Sequence, residues 1–331
     1  MTDARKPILE IRDVYKYYDL KTLTFFSRVV EKVKAVRGVT LKILEGETIG
    51  LVGESGCGKS TLSRLIVKLE FPLSGTVLFQ GKDIFDSSEV DQKLFHKSIQ
   101  LLFQNPFTTL SPQMTIGDHI ADVLTIHHLV DGKTSIRKQV FGLLDLVGIP
   151  RTAYDSYPEN FSGGALQMVN IARAMACTPK LIISDEGVSI LDVSDQARIL
   201  NLLQNLREKF QLTCIIVTHD LSVVRHICER IAVMYLGKIV ELGQNDEIFS
   251  TPAHPYTRSL IDSIPTIRRG LEGIMVAPLK GEVPSPINLP SGCTFHPRCP
   301  LATDVCREKE PGFGEINEGH STACHHWKEV R

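Results

Sequence analysis

Short apolar runs recur along the chain and predict buried β-strands. The most continuous of them lie at residues 48–52, 181–184 and 214–217. A strand that helices cover on both faces reads as such a run, because neither of its faces meets water. The alternation of these runs with stretches of helical spacing therefore predicts an α/β fold around a parallel sheet.

Further strand signals lie on either side of the run at 48–52. Residues 8–52 and 74–84 contain short apolar runs separated by turn signals, which indicate additional strands. Residues 231–240 predict a hairpin that turns at Leu236 and Gly237. Hairpin strands are antiparallel, so the predicted sheet is mixed rather than wholly parallel.

Two other stretches differ from these in pattern. From about 86 to 160, apolar residues follow i, i+3, i+4, i+7 spacing, which predicts helices. Beyond about Pro265 the chain is rich in Pro and Gly and shows little periodicity, so we expect an irregular tail there. A tail without a large core of its own needs another source of stability.

Composition narrows the class of protein. The chain has 331 residues with 37 basic and 38 acidic side chains, and this near balance gives no indication of a nucleic-acid partner. No apolar run is long enough to span a bilayer, and the N-terminus lacks the apolar segment of a signal peptide. We therefore expect a protein of the cytosol, where thiols stay reduced.

The loop after the run at 48–52 carries the most specific chemistry. It fits G-x-x-x-x-G-K-[ST], the phosphate-binding P-loop, and it lies between a predicted strand and a predicted helix. Glycines let consecutive amides turn toward a polyphosphate, Lys59 can reach the outer phosphates, and the Ser60 hydroxyl can bind Mg²⁺. The pattern predicts nucleoside triphosphate binding by Gly53, Glu54, Ser55, Gly56, Cys57, Gly58, Lys59, Ser60 and Thr61.

Acidic and histidine side chains follow two of the other predicted strands. Asp185 and Glu186 end the run at 181–184, and His219 lies just after the run at 214–217. The carboxyl ends of parallel strands form the ligand edge of such sheets, so Asp185 can hold Mg²⁺ and Glu186 can polarise an attacking water. His219 can contact the γ-phosphate. Each could instead be a solvated or hydrogen-bonding strand-end side chain, and the P-loop upstream favours the catalytic interpretation.

A second glycine-rich helix start lies at Ser162, Gly163 and Gly164. Helical spacing follows it to about residue 176, and a helix start of this kind suits an anion. Ser162 could equally be a simple N-cap, and the pattern alone does not decide between the two.

Taken together, these segments resemble the ATPase subunits of ABC transporters. The resemblance covers most of residues 8–250 and rests on the P-loop, Gln104, Ser162-Gly163-Gly164, Asp185-Glu186, Leu191-Asp192 and His219. It implies ATP sandwiched between two ATPase domains, with the P-loop of one facing the Ser-Gly-Gly segment of the other. It also implies that Tyr18 stacks on adenine and that Gln104 links Mg²⁺ and the attacking water to the membrane-subunit contact.

The resemblance implies an α/β fold with a P-loop NTPase core, a mixed sheet and an inserted helical subdomain. The ATP-binding core with its antiparallel β subdomain is expected at residues 1–85 and 166–264. The helical subdomain, which would contact the membrane partner, is expected at residues 86–165. Residues 265–331 are expected to form an irregular, Cys-rich C-terminal extension.

The C-terminal extension narrows the resemblance. Segments 252–258 and 292–300 resemble the ATPases of oligopeptide, dipeptide and nickel importers, so the likeness covers essentially the whole chain. In that group the tail cysteines hold a [4Fe–4S] cluster. The ligands that this implies are Cys293, Cys299, Cys306 and Cys324.

The cysteine spacing by itself leaves the ligand open. The pattern is C-x5-C-x6-C-x17-C, without the C-x2-C of common zinc sites. Four thiolates suit an iron–sulfur cluster or Zn²⁺, and unligated thiols are the third alternative. Nearby histidines that could replace a cysteine ligand are His296, His320, His325 and His326.

The signature segment, residues 162–168, departs from the family pattern Ser-Gly-Gly-Gln-x-Gln-Arg. Ala165 and Met168 stand in place of the first Gln and the Arg, and Gly187 follows Glu186 where Pro or Ala is usual. The altered segment would serve the ATP on a partner's P-loop. We therefore expect a heterodimer with unequal sites, in which this chain's own P-loop, Glu186 and His219 are intact. The alternative is neutral drift at tolerant positions.

The expected function is ATP hydrolysis that powers peptide import. The implied partners are a second ABC ATPase subunit, two transmembrane permease subunits and an extracytoplasmic substrate-binding protein, at the cytoplasmic face of a bacterial or archaeal membrane. A nickel or metal-chelate importer is the first alternative. A soluble ABC ATPase acting on DNA or ribosomes is less favoured, because the chain has one cassette, near-neutral charge and no heptad repeats.

Overall fold

The computed structural model describes most of the chain. The described residues are 5–24, 27–86, 89–187, 191–264 and 281–330. Contacts divide the chain into two compact units. The first unit comprises Met1–Lys6, Leu44–Glu47 and Ile84–Val217, and the second comprises Pro7–Ile43, Thr48–Asp83 and Thr218–Arg331. The predicted boundary near Pro265 lies outside the described residues.

Strands and helices alternate along much of the chain. The strands are β1 (Pro7–Thr24), β2 (Ser27–Leu44), β3 (Thr48–Val52), β4 (Ser74–Phe79), β5 (Lys82–Asp83), β6 (Ile99–Leu102), β7 (Leu181–Asp185), β8 (Thr213–Thr218), β9 (Arg230–Tyr235), β10 (Lys238–Gln244), β11 (Gly314–Asn317) and β12 (His320–Thr322). The helices are α1 (Lys59–Ile66), α2 (Glu89–Ser98), α3 (Pro106–Thr109), α4 (Ile116–Ile126), α5 (Lys133–Leu146), α6 (Gly163–Met175), α7 (Val193–Phe210), α8 (Leu221–Ile227), α9 (Asn245–Ser250), α10 (Pro255–Asp262) and α11 (Asp304–Glu308).

The first unit is built on the parallel strands β6, β7 and β8. Leu101 pairs with Ile183 on one side of β7, and Ile183 pairs with Ile215 on the other. Strands β7 and β8 are buried along their whole length, as the continuous apolar runs predict. Helix α4 begins at a capping box of Thr115 and Asp118 and packs against α5 and α6. Asp185 and Glu186 lie at the carboxyl end of β7.

The second unit contains an antiparallel sheet in the order β2-β1-β4-β5. It also contains the strands β11-β12-β10-β9-β3, of which β9 and β3 are parallel and the others antiparallel. Helix α1 follows β3, and α8 packs on β3. Strands β9 and β10 form the predicted hairpin, and its turn residues Leu236 and Gly237 have φ of 40° and 83°. Positive φ at both turn residues is what tight hairpins favour.

Two expectations from the sequence are corrected. The stretch from 86 to 160 is not wholly helical, because Ile99–Leu102 forms β6, which pairs with β7. The C-terminal extension is not wholly irregular, since β12 pairs with β10 and β11 pairs with β12. All three strands have four residues or fewer, which is too short to show a clear period. The predicted domain boundaries stay a prediction, and contacts group residues 166–217 with 84–165.

A buried carboxylate attaches the C-terminal extension to the rest of the second unit. Glu241 on β10 has no solvent exposure, and its Oε1 accepts the Ala253 N–H at 2.6 Å and the His320 Nε2–H at 2.8 Å. Its Oε2 accepts the His254 N–H at 3.0 Å. His320 lies on β12 and is itself buried. Buried charge is tolerated only when it is hydrogen-bonded in this way, so one side chain fixes three segments.

We expect Glu241→Gln to destabilise the second unit. The amide group would present N–H where a carboxylate oxygen now accepts donors, so the free energy of unfolding should fall by about 2–4 kcal/mol. The measurement is urea unfolding followed by fluorescence of the only tryptophan, Trp327, which lies in the extension. Glu315→Gln is the control, because Glu315 accepts one exposed N–H, from Gly319, and should cost about 0.5 kcal/mol or less. Equal losses in both variants would contradict the role of Glu241.

Candidate functional site

The P-loop, residues 53–60, joins β3 to α1 and depends on glycine. Gly56 and Gly58 have φ of 78° and 108°, values that residues with a side chain rarely adopt. A Cβ at Gly58 would also lie 2.1 Å from the Ala35 carbonyl oxygen, whereas a Cβ at Gly56 would meet nothing within 4 Å. Gly58 occupies the N-cap position of α1 and offers no side chain to it. The loop therefore leads its backbone amides to the start of a helix, as phosphate binding requires.

Lys59 lies inside the P-loop. Its side chain is buried, and its Nζ donates to the carbonyl oxygens of Gly53 at 2.7 Å and Glu54 at 3.1 Å. The Cys57 sulfur is 3.8 Å from the same nitrogen, and burial raises the pKa of that thiol, which keeps it neutral. Ser60 and Thr61 follow in the first turn of α1. A buried ammonium group at the start of a helix suits a polyanion.

The acidic pair lies at the end of β7 in the first unit. Asp185 is the last residue of the strand and is buried. Glu186 has a positive φ of 49°, and its N–H donates to the Val217 carbonyl oxygen at 2.8 Å. Gln104 donates from Nε2 to Glu186 Oε2 at 2.8 Å. The structure thus brings together two of the predicted catalytic side chains, and the unusual backbone at Glu186 is typical of functional sites.

The signature segment begins α6 in the same unit. Ser162 is its N-cap and accepts the Ala165 N–H at 3.3 Å. A Cβ at Gly164 would lie 2.1 Å from the Asp195 carboxylate, so this position has no room for a side chain. Met168 is buried and Ala165 is half-buried. Of the two departures from the family pattern, only the one at Ala165 changes the solvent-facing start of the helix.

Gly187 and Gln167 explain one further departure. Gln167 is buried, and its Nε2 has no hydrogen-bond partner among the described residues. A Cβ at Gly187 would lie 2.7 Å from this nitrogen and 2.9 Å from Ser184 Oγ. Glycine at 187, the residue after the acidic pair, therefore leaves space for the Gln167 amide.

Two predicted ligand residues lie in the second unit. His219 follows β8 and is exposed, and the next residue, Asp220, caps α8 by accepting the Ser222 N–H at 2.8 Å. Tyr18 lies on β1 and is half-buried, with Lys16 Nζ 5.0 Å from its ring centroid. Lys16 pairs with Glu70 at 2.8 Å, and this contact lowers the pKa of the Glu70 carboxyl. Because the Lys16 cation covers one face of the Tyr18 ring, an adenine would have to stack on the opposite face.

The four clustered cysteines line one cavity in the extension. The other residues around it are His254, Pro255, Phe295, His296, His325 and His326. Burial raises the pKa of Cys299 to about 11 and of Cys324 to about 12, and it also raises the pKa of Cys293. Within the described residues, no three His, Cys, Asp or Glu side chains form a group compact enough to hold a metal ion. We refer to this space as the thiol cavity.

Sequence reasoning missed two side chains that contact the P-loop from the C-terminal part of the chain. Tyr256 accepts the Glu54 N–H at 2.8 Å, and Arg298 makes two hydrogen bonds to the Glu54 carboxylate at 2.7 and 2.9 Å. Both lie in the segments at 252–258 and 292–300 that carry the family resemblance. Their role could not be read there, because more than 200 residues separate each of them from Glu54.

The structure gathers the predicted residues into two sets. Gln104, the Ser-Gly-Gly segment and the acidic pair lie in the first unit. The P-loop, Tyr18, His219 and the four cysteines lie in the second unit. That the two sets act on one ATP stays a prediction.

Comparison with known proteins agrees with this arrangement of sequence segments. Residues 36–189 match the family model described as ABC transporter, and residues 240–306 match the model described as oligopeptide/dipeptide transporter, C-terminal region. The oligopeptide transport ATP-binding protein AppF of Bacillus subtilis is 46% identical, over 98% of this chain and 99% of that protein. OppF of Escherichia coli is 44% identical over 98% of this chain and 97% of its own length. The dipeptide transport ATP-binding protein DppF of Haemophilus influenzae is 40% identical over 97% of each chain.

Solved structures agree at the level of the cassette. CbiO1 of Clostridium perfringens, part of the ABC transporter complex CbiONQ, superposes with a TM-score of 0.62 at 27% identity and covers 74% of this chain and 91% of its own. The ATP-binding cassette MJ0796, solved as a dimer with ADP and Pi, gives a TM-score of 0.62 at 27% identity over 72% of this chain and 98% of its own. In the part of the chain that the structure describes, no helix is long and apolar enough to cross a membrane.

The sequence relatives cover nearly the whole chain, and the solved structures cover about three quarters of it. The similarity to complete ATP-binding subunits extends over nearly the whole chain, including the P-loop and the C-terminal extension. The chain therefore belongs to the ABC transporter family, among the ATP-binding proteins of its oligopeptide/dipeptide branch, and is an ABC-type ATPase.

Proposed function

We propose that this chain hydrolyses ATP to power peptide import through an ABC transporter. The observation that carries the proposal is the match of both parts of the chain, since the extension as well as the cassette resembles proteins named for oligopeptide and dipeptide transport. An extension specific to this branch is more informative about the substrate class than the cassette, which serves many functions.

In the proposed reaction, the chain acts mainly by positioning and by charge stabilisation. Lys59 and the P-loop amides hold the phosphates. Glu186 is the general base that takes a proton from the attacking water, and its hydrogen bond to Gln104 aims its carboxylate. His219 holds the γ-phosphate, and Tyr18 stacks on adenine. The signature residues Ser162, Gly163 and Gly164 bind the ATP held by a partner's P-loop.

The proposed Mg²⁺ ligands are Ser60, Asp185 and Gln104. A hydroxyl, a carboxylate and an amide oxygen are the donors this ion prefers, and the buried carboxylate of Asp185 fits a bound cation. When bound, Mg²⁺ neutralises the charge that develops on the phosphates.

The proposed assembly places the chain at the cytoplasmic face of a bacterial or archaeal membrane, with a second ATPase subunit, two permease subunits and an extracytoplasmic substrate-binding protein. Exposed aromatic side chains in the first unit support a docking surface there. Phe103, Phe107 and Tyr157 have 42%, 58% and 43% of their surface exposed, and Phe103 adjoins Gln104. Exposed apolar surface marks an interaction site where it is contiguous.

We expect Glu186→Gln to stop transport while ATP still binds. The amide cannot accept the proton of the attacking water, so kcat should fall by about 100-fold or more. The assembled importer, purified with its two permease subunits, would be tested for ATP hydrolysis and for uptake of a peptide delivered by its binding protein. Glu208→Gln is the control, because Glu208 is an exposed residue of α7.

Other outcomes of that experiment point to other functions. Stimulation by a nickel chelate and not by peptides would favour the metal-chelate importer. Failure to recover permease subunits, together with unchanged uptake in cells lacking the chain, would favour a soluble ABC ATPase. Retention of full turnover by Glu186→Gln would contradict the role given to Glu186.

We infer that the active partner is a different ATPase chain and that the two ATP sites are unequal. Ala165 supplies no polar group at the start of α6, where the family pattern has glutamine. This loss weakens the site on the partner's P-loop and leaves the site on this chain's P-loop intact. Burial of Met168 supports placing the deficit at Ala165 alone.

We expect mutation of the two catalytic glutamates of the heterodimer to affect ATP turnover unequally. Glu186→Gln in this chain should stop turnover, and the matching change in the partner should slow it only in part. Ala165→Gln should raise hydrolysis at the partner's site, measured in a complex whose other site carries Glu186→Gln. If the partner's mutation stops turnover as completely as this one, the two sites are equal. If Ala165→Gln has no effect, the deficit does not lie at Ala165.

We propose that the thiol cavity holds a [4Fe–4S] cluster, with Zn²⁺ as the alternative, and that the cysteines draw closer together on binding, since no three described side chains there now form a group compact enough for a metal ion. Four cysteine sulfurs around one space fit the donor set of such a cluster. The raised pKa values mean that binding would displace protons from at least three of the thiols, since metals bind thiolates. Held there, the cluster would stabilise the extension.

Chemical analysis separates the two ligands of the thiol cavity. Chain purified without oxygen should contain about four iron and four acid-labile sulfide atoms per molecule. Cys306→Ser should lower both, while Cys177→Ser, at a buried cysteine of the first unit, should leave both unchanged. Zinc without sulfide would establish the alternative. If neither iron nor zinc is found, the four cysteines are free thiols.

A further inference from the structure

Glu54, the second residue of the P-loop, is held by the C-terminal part of the chain. The Arg298 guanidinium donates from Nη1 to Glu54 Oε2 at 2.7 Å and from Nη2 to Oε1 at 2.9 Å. The Arg298 side chain is only 3% exposed and that of Glu54 is 25% exposed. Two parallel hydrogen bonds between planar groups fix orientation as well as distance. This pair therefore differs from the exposed ion pairs elsewhere on the chain.

The backbone of Glu54 is held at the same time. Its N–H donates to the Tyr256 hydroxyl at 2.8 Å, and its carbonyl oxygen accepts from Lys59 Nζ at 3.1 Å. Tyr256 is fully buried, and burial raises the pKa of its phenol, so the hydroxyl stays neutral. Side chain, amide and carbonyl of one P-loop residue thus each have a fixed partner.

The two contacts from the C-terminal part of the chain share one support. Phe295 lies 5.4 Å from the Tyr256 ring and 5.3 Å from the Tyr235 ring, measured between centroids. Arg298 follows Phe295 in a single turn, and its N–H donates to the Phe295 carbonyl oxygen at 3.0 Å. Phe295 also lines the thiol cavity. The aromatic cluster therefore places both the phenol and the guanidinium against Glu54.

Such support matters because amides bind phosphate well only when they are already aimed. Lys59 takes its position from the carbonyl oxygens of Gly53 and Glu54. A shift of Glu54 would therefore move the ammonium group and the first turn of the loop together. Positional errors near 1 Å cost about 100-fold in well-aligned sites.

We propose that Arg298 is a positioning residue for ATP binding, which it serves by clamping Glu54 and so fixing the P-loop. The proposal rests on the P-loop being the ATP site, as proposed above. It makes the C-terminal extension a working part of the nucleotide site rather than an appendage that is merely anchored there.

The test measures two quantities in each variant of the purified chain, the affinity for ATP and the hydrogen exchange of the backbone amides. Arg298→Gln and Glu54→Gln should each weaken ATP binding about tenfold. The double variant should lie within about twofold of either single variant, because both remove one clamp. Arg298→Lys should be intermediate, since it keeps the charge and loses the fork. Arg307→Gln is the control, because Arg307 forms an exposed pair with Asp304 in the same extension.

Hydrogen exchange separates positioning from anchoring. Amides at residues 53–58 should exchange faster in the clamp variants, whereas those of β12 should keep their protection. Because Arg298 adjoins Cys299, iron content is measured alongside. Glu54→Gln, which is remote in sequence from the four cysteines of the thiol cavity, must reproduce the effect on ATP with iron unchanged.

Unchanged ATP affinity in folded Arg298→Gln, or losses that multiply in the double variant, would overturn the clamp. If Arg298→Gln does not fold, Arg298→Lys and Glu54→Gln decide in its place, and wild-type affinity in both overturns the proposal. Lys59→Ala tests the assumption that the P-loop is the ATP site. If Lys59→Ala loses ATP binding while the clamp variants keep it, only the clamp is rejected. If Lys59→Ala binds ATP fully, both the P-loop as the ATP site and the clamp are rejected.

Discussion

A triphosphate that is held by backbone amides needs a loop whose shape is fixed before the ligand arrives. In this chain that constraint is met from several directions. Gly58 lies too close to the Ala35 carbonyl oxygen for any side chain. Lys59 is buried against carbonyl oxygens of its own loop. Tyr256 and Arg298 hold Glu54 from segments far along the chain. The stiffness of the P-loop is thus a property of the whole second unit.

Two glutamates organise the attachment of the C-terminal extension. Glu241 accepts three donors in complete burial, and one of them is His320 of β12. Glu54 accepts the paired donors of Arg298. Removing one partner from a buried, hydrogen-bonded charge leaves the other without compensation. The extension is therefore attached by directional contacts that specify one arrangement, and its described residues bury few apolar side chains.

The sequence predicted those features that have a local signal. Buried runs gave β3, β7 and β8, and the Leu236-Gly237 turn gave the β9–β10 hairpin. Strand β6 was missed because it follows α2 directly and its four residues, Ile-Gln-Leu-Leu, are too few to show a period of their own. The Gln104–Glu186 hydrogen bond and the contacts of Tyr256 and Arg298 with Glu54 could not be predicted, since each joins residues more than 80 positions apart. Hydrophobic periodicity indicates whether a residue lies on a buried or an exposed face, but it does not identify the distant side chain that the residue contacts.

Strand β12 has a consequence for the rest of the sheet. It covers the side of β10 that does not pair with β9, and β11 then covers β12. An uncovered β10 would present a row of open backbone groups beside apolar residues such as Ile239 and Val240, a template for joining other chains. The outermost strand, β11, is instead short, and three of its four residues, Gly314, Glu315 and Asn317, are exposed. The extension thus ends the sheet with a polar border that discourages aggregation.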